Sequence, residues 1–385
     1  MKKRLLLSLA SACVVSVALV FAITDLENIY LNIYNFAVFM FLYLSGTVGL
    51  TAIVYLFFLV RKKKRTKEEM KESVYKSSLI MVLFLIAMGI YFYDSSVPRE
   101  YEGDEYVYQY EQPKDLHDGL VTDDIGNTNF SPDTLKNIVK KIVEERNYKG
   151  ITSFLLLHKN KLIVEEYFYD VKHNTPHDIR SATKSITALL TGIAVDKGFI
   201  KSEDEKISKF FPEYFNEKDS VSLKSQITVK DLLDMNSCLD CNDWDRNSPG
   251  QENKIYRTRD WVETVLKLGE LKRDSTARYC TGGVIVLGEI IAKTSGMKTD
   301  EFAKKYLFEP LGINNLNWQY MPSGQTDTGG HLNITSRDFV KLGALILNNG
   351  IWNNEQIISV DWLKKIKQNN IVIRGYRYYL FIIPD

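Results

Sequence analysis

Three long apolar stretches dominate the first quarter of the chain, and none of them contains a charged residue. They run from Leu5 to Ile23, from Phe36 to Val60 and from Ser77 to Tyr93. A helix needs roughly 20 such residues to cross the hydrocarbon core of a bilayer. The pattern therefore predicts a membrane anchor over residues 1–93 with three transmembrane helices, at 5–23, 36–60 and 77–93. The first stretch follows the basic segment Lys2–Arg4 and also fits a secretory signal.

After residue 93, the apolar residues occur in shorter runs, as in a folded domain. Residues 94–118 are polar, rich in tyrosine and without clear periodicity, which predicts a tether before a domain over 119–385. Two β-type runs, Ile151–Leu157 and Leu162–Tyr169, predict a hairpin. Apolar residues at helical spacing predict helices over Pro132–Arg146, from Ser181 to Gly198, and over Val229–Met235, Thr258–Lys267, Gly283–Thr294, Thr299–Phe308, Ser336–Asn348 and Ser359–Gln368. With strands resuming near Tyr376, the order predicts an α+β fold.

Charge is balanced overall but divided unevenly along the chain. The 49 Lys+Arg against 48 Asp+Glu argue against a nucleic-acid-binding protein. Residues 1–93 nevertheless carry 11 Lys+Arg and 5 Asp+Glu, and eight of these cations lie between Arg61 and Lys76. Positively charged short loops stay on the cytoplasmic side. We therefore expect a multi-pass cell-membrane protein that contacts the lipid bilayer through residues 1–93 and holds its larger domain outside the cytoplasm.

One short motif in that domain carries chemistry. Ser181-Ala182-Thr183-Lys184 places a hydroxyl and an amine three residues apart, on one face of a helix, where the amine can take the hydroxyl proton. Two other segments share this spacing, Ser73–Lys76 and Ser295–Lys298. The first lies in the predicted cytoplasmic loop and the second contains a glycine. Ser181 is therefore the candidate nucleophile, and Lys184 needs partial burial to act as a base near neutral pH.

Several ordered blocks of sequence resemble the serine β-lactamase and penicillin-binding-protein superfamily, most closely its class-C-like group. They are Arg180–Thr187, Asp231–Met235, Tyr279–Gly283, Tyr306–Gly312, and Gly329–Gly330 followed by Thr335–Asp338. The resemblance implies a β-lactamase/transpeptidase-like domain, in which an antiparallel sheet joins a helical subdomain. It also implies an acyl-enzyme mechanism in which Lys184 and Tyr279 jointly deprotonate Ser181. Thr281 takes the position of the family's asparagine and is the expected substrate-binding residue. No cofactor is implied.

One family element is missing from the sequence. The resemblance calls for a Lys/His-x-Gly triplet on an edge strand, and none is found before Asp385, so it implies a C-terminally incomplete domain. Two hypotheses follow. The first is a membrane-anchored serine hydrolase acting on an ester or amide, such as a β-lactam, a D-Ala peptide or a related small-molecule or peptide substrate. The second is a catalytically inactive penicillin-binding-like or wall-sensing protein. A domain that only scaffolds partners is a third interpretation.

The cysteine and histidine residues bear on disulfide pairing and on metal binding. Outside the apolar stretches stand Cys238, Cys241 and Cys280, which allow three pairings with one thiol left over. The resemblance favours Cys241 with Cys280, because family members bring both segments near the active site. Unpaired buried thiols are the open alternative. The single Cys-x-x-Cys and the five scattered histidines lack ligand spacing, so no metal site is predicted.

Overall fold

The structure is a computed structural model and describes residues 107–145, 148, 150–215, 222–272, 278–367 and 376–381. All three predicted transmembrane segments lie outside these ranges. Within them, no helix combines the length and the apolar character that a membrane crossing requires.

The predicted hairpin forms the centre of the first sheet. Strands β2 (Ser153–His158) and β3 (Lys161–Tyr167) pair antiparallel, and the short β1 (Val121–Thr122) runs parallel to β3 on its other side. Lys159 and Asn160 make the turn with φ of 49° and 62°, the left-handed geometry of a two-residue hairpin turn. Helix α1 (Pro132–Glu144) buries one apolar face in a cluster that also contains residues of β3.

A helical region follows and contains most of the core. A single 3₁₀ turn, Arg180–Ala182, leads into α2 (Thr183–Asp196). The first eleven residues of this helix are buried, except for the half-buried Ser185. The other members are α3 (Val229–Leu233), α4 (Glu252–Ile255), α5 (Trp261–Leu266), α6 (Thr281–Ser295) and α7 (Thr299–Ala303), which continues as a π turn over Lys304–Phe308. Helix α6 is buried along most of its length and packs against α2 and α5.

The remaining elements combine short strands with two helices. A second sheet has the order β4 (Pro176–Asp178), β6 (Leu332–Thr335), β5 (Leu316–Trp318), and both pairings are antiparallel. Helix α8 (Ser336–Leu347) follows β6, and a hairpin of β7 (Ile351–Trp352) and β8 (Glu355–Gln356) precedes α9 (Val360–Lys367). Strands β9 (Tyr376–Arg377) and β10 (Leu380–Phe381) form a last pair.

The structure confirms the α+β class and the helical subdomain, with two differences in detail. Strands β5 to β8 interrupt the region that the sequence predicts as mainly helical. The last residues of the predicted tether also lie against the domain, because the Tyr108 hydroxyl donates to Glu166 at 2.5 Å and that of Tyr110 donates to the carbonyl of Ile163 at 3.0 Å.

Candidate active site

Ser181 is presented to solvent by an unusual turn. It is exposed, and the residue before it, Arg180, has a φ of 50°, a left-handed conformation that is uncommon for a residue with a side chain. The N–H of Arg180 donates to the Asp178 carboxylate at 2.8 Å, which helps to hold this conformation. Backbone strain of this kind concentrates at functional sites.

Lys184 lies directly beneath the serine on the first turn of α2. Its side chain is fully buried, and Nζ donates to Oγ of Ser181 at 3.1 Å and to the carbonyl oxygen of Gly329 at 2.5 Å. The amine is therefore oriented by the hydroxyl of Ser181 and by one backbone carbonyl.

The loop that supplies this carbonyl is held tightly against the helices. Nε1 of Trp318 donates to the carbonyls of Asp327 and Gly330 at 2.6 and 3.2 Å. The Thr328 hydroxyl donates to the carbonyl of Val284 on α6 at 3.0 Å. A Cβ at position 329 would lie 2.5 Å from the methyl group of Thr281, so only glycine allows this approach.

Tyr279 is the third predicted catalytic residue, and it lies beside Lys184. It is half-buried just before α6, and its ring centroid lies 5.3 Å from Nζ of Lys184. On its ring stacks the indole of Trp244, with a centroid distance of 5.2 Å and an interplanar angle of 12°. The structure thus brings together Ser181, Lys184 and Tyr279 from segments nearly 100 residues apart.

Thr281, the expected substrate-binding residue, is placed differently. It is fully buried, and both its N–H and its hydroxyl donate to one carboxylate oxygen of Asp243, at 2.9 and 2.7 Å. Burial raises the pKa of Asp243, although these two hydrogen bonds work in the opposite direction. Thr281 therefore anchors the Asp243 loop to the start of α6, and its role in substrate binding stays a prediction.

A disulfide joins the same two segments. Cys241 and Cys280 are bonded, both are buried, and Cys280 stands between Tyr279 and Thr281. Cys238 is also buried. In the described ranges, no group of three or more His, Cys, Asp or Glu side chains is placed to hold a metal ion.

Three contributors to this site were not identified from sequence. They are the carbonyl of Gly329, the carboxylate of Asp243 and the indole of Trp244. The Gly329–Gly330 pair was the available signal for the first, since paired glycines mark a close backbone approach. The other two lie in the loop from Asn242 to Gly250, whose shape has no signature in a single sequence.

The arrangement has the parts that nucleophilic catalysis needs. An exposed hydroxyl is in hydrogen-bond contact with an amine, and a tyrosine lies beside that amine. Because α2 starts two residues after Ser181, its positive N-terminal end favours negative charge that develops next to the serine.

Comparison with known proteins identifies relatives of this chain. The 6-aminohexanoate-dimer hydrolase of Paenarthrobacter ureafaciens is 23% identical over 227 residues, which cover 56% of this chain and 56% of the relative. Beta-lactamase-like protein 2 of Dictyostelium discoideum is 24% identical over 247 residues, covering 58% of this chain and 40% of the relative. The chain thus spans about half the length of the curated relatives it matches.

Structural comparison supports the fold. A crystal structure from Bacteroides dorei DSM 17855 with a provisional β-lactamase assignment superposes with a TM-score of 0.50 at 17% identity, covering 63% of this chain and 70% of that one. The Beta-lactamase family model matches residues 135–360. Because this match spans more than half of the chain and includes Ser181, Lys184 and Tyr279, the chain belongs to the β-lactamase family.

Proposed function

We propose that this chain is a membrane-anchored serine hydrolase that cleaves an ester or amide through an acyl-enzyme. The observation that supports this most is the 3.1 Å contact between the exposed hydroxyl of Ser181 and the buried amine of Lys184. A hydroxyl is a weak nucleophile unless an adjacent base removes its proton.

The proposed reaction uses three side chains in two half-reactions. Lys184 and Tyr279, acting as a pair, take the proton of Ser181 as its oxygen attacks the substrate carbonyl. The negative charge that forms on the carbonyl oxygen is favoured by the N-terminal end of α2. The same pair then returns the proton to the leaving alcohol or amine. In the second half-reaction, the pair takes a proton from a water molecule that attacks the acyl-serine. The pair then gives this proton to the serine oxygen as the ester bond breaks and the acid leaves.

The substrate class is supported by the chemistry of the site and by the relatives. Amides, β-lactams and esters all present a carbonyl that an activated serine attacks. The names of the curated relatives include a 6-aminohexanoate-dimer hydrolase and a β-lactamase-like protein. A D-Ala peptide or a related molecule is compatible with the proposed location outside the cytoplasm. The location itself is supported by the three apolar stretches and by the basic loop between Arg61 and Lys76.

Turnover assays on the purified full-length chain test this proposal. The substrates are a nitrophenyl ester, a chromogenic β-lactam and the 6-aminohexanoate dimer, and the variants are Ser181→Ala and Ser295→Ala. The second serine heads another Ser-x-x-Lys segment and is the matched control, because within the described residues its hydroxyl bonds locally to the backbone of Met297.

We expect hydrolysis of at least one substrate, its loss in Ser181→Ala by a factor of about 10³ or more, and full activity in Ser295→Ala. Equal activity of wild type and Ser181→Ala would remove Ser181 from the reaction. A stable adduct with the β-lactam and no turnover of any substrate would instead favour the inactive penicillin-binding-like or sensing protein.

A further inference from the structure

Trp244 is a large apolar side chain that the fold leaves open to water. It is 74% exposed, and it lies in the loop directly after Asp243. Single exposed hydrophobic residues are common on protein surfaces, so exposure alone says little. The position of this side chain is more informative, because one face of the indole rests on Tyr279.

The loop that carries Trp244 is held in place by many bonds. The N–H of Trp244 donates to the side chain of Asn242 at 3.1 Å, and the N–H of Asp243 donates to the carbonyl of Tyr279 at 2.8 Å. The Cys241–Cys280 disulfide fixes the start of the loop, and the N–H of Gly250 closes its end on the carbonyl of Asp240 at 3.1 Å. The indole is thus presented by a braced loop, which lowers the entropy cost of a contact with a ligand.

The stacked tyrosine determines which part of a substrate lies near the indole. In the proposed reaction, Tyr279 and Lys184 return the serine proton to the leaving group. A leaving group must therefore sit beside this pair in order to receive that proton. The indole stacked on Tyr279 then lies on the same side of the scissile carbonyl, with its second face open.

We infer that Trp244 is a specificity-determining residue that stacks against a flat aromatic ring in the leaving group of the substrate. This inference deepens the proposed function and rests on it, because the leaving-group side is defined by the proton transfer. Indole is well suited to this role, since offset stacking of aromatic rings adds to the free energy gained by burying them. The preferred substrates are accordingly esters or amides of benzyl-type alcohols and amines.

The test compares benzyl acetate with ethyl acetate, which release alcohols of similar acidity. Wild-type protein should show the higher kcat/KM for benzyl acetate. Trp244→Ala should lower that value about tenfold and change ethyl acetate less than twofold, whereas Trp244→Phe should keep most of the preference. The matched control is Phe130→Ala. Phe130 is an exposed aromatic residue whose ring contacts His158 on β2, so its removal should leave both kcat/KM values unchanged.

An equal fall for both esters in Trp244→Ala would overturn the inference, since it would mean that the indole only positions Tyr279. A second measurement does not depend on turnover. In the Ser181→Ala background, N-benzylacetamide should show saturation-transfer NMR signals from its ring protons, and adding Trp244→Ala should remove them. Ring signals that persist without the indole would contradict the inference, and loss of turnover with retained ring binding would count against the proposed function alone.

Discussion

His331 and Asp327 form an ion pair on either side of Gly329, whose carbonyl contacts Lys184. The two side chains differ sharply in solvent exposure. Nδ1 of His331 lies 2.6 Å from Oδ2 of Asp327, and the side chains are 26% and 1% exposed. The other oxygen of Asp327 accepts from the N–H of Gly329 at 3.1 Å. The hydrogen bond to Asp327 is the main cause that raises the pKa of His331; Asp178 adds to this, while burial and Arg180 oppose it.

This pair should make stability depend on pH. A histidine whose pKa is higher in the folded state contributes fully below its unfolded pKa, roughly 6.5, and the contribution is lost as pH rises through the folded value. Between pH 6 and pH 9 the wild type should lose about 1 kcal/mol of unfolding free energy from this source. His331→Gln and Asp327→Asn should both lack that loss in chemical denaturation across this range. A wild-type pH slope in both variants would show that the pair contributes nothing.

The candidate catalytic residues could be named from the sequence, but the groups that contact them could not. Ser181, Lys184 and Tyr279 are found because their types, spacing and neighbours form blocks that resemble a known family. The carbonyl of Gly329 belongs to the backbone and lies 145 residues from Lys184. Asp243 and Thr281 are likewise separated by 38 residues. Such contacts depend on the three-dimensional path of the loops, and a single sequence carries no record of it.

At the scale of elements, α2 connects Ser181 to the core, and the packing of this helix depends on Gly192. A Cβ at this position would lie 2.3 Å from the indole of Trp362 on α9. The same indole is 3% exposed and donates its N–H to the carbonyl of Ala188 at 3.1 Å. The tryptophan therefore has neither room nor freedom to move aside.

Gly192→Ala should lower the free energy of unfolding by about 2 kcal/mol, the usual cost of overpacking a tight core. Gly343 on α8 is the matched control, because it is exposed and no atom lies within 4 Å of its added Cβ. Gly343→Ala should stabilise the protein by up to about 1 kcal/mol through helix propensity alone. Denaturant titrations of the two variants would refute the packing argument if both alanines had the same effect.

The long helices follow from sequence periodicity, whereas the short strands do not. Helices α1, α6 and α8 begin and end within two residues of their predicted limits, because each has an apolar face several turns long. Strands β5 and β6 have three and four residues, too few for an alternating pattern to be recognised. Strand β6 pairs with β4, which lies well over 100 residues earlier in the chain, and β5 pairs with β6 in turn.

At the scale of the whole molecule, a buried cation ties the domain to the chain segment before it. The Arg337 side chain is 4% exposed, and Nε lies 2.8 Å from Asp118. It also contacts Glu165 and donates to the carbonyl of Lys114 at 3.1 Å. Burial by itself would raise the pKa of Asp118, but the hydrogen bond and charge of Arg337, together with Lys341, lower it. The polar composition of this segment does not reveal the contact, because Arg337 is 219 residues away.

Removing the charge of Asp118 should destabilise the fold. Asp118→Asn leaves Arg337 buried with one carboxylate fewer, and we expect the free energy of unfolding at pH 7 to fall by about 2–4 kcal/mol. Since the pKa of Asp118 is lowered in the folded state, this difference should shrink as pH falls below about 4. Asp361→Asn removes an exposed partner of Lys364 and should cost under about 0.5 kcal/mol. Similar losses for the two variants would contradict a structural role for the Arg337 cluster.

The proposed function depends on covalent chemistry at one side chain. Incubation of the full-length chain with a fluorophosphonate probe, followed by peptide mapping in a mass spectrometer, locates the modified residue directly. We predict a single adduct on Ser181, formed at a much lower rate when Lys184 is replaced by Met and absent from Ser181→Ala. An adduct on another residue, or equal labelling of wild type and Ser181→Ala, would contradict the account.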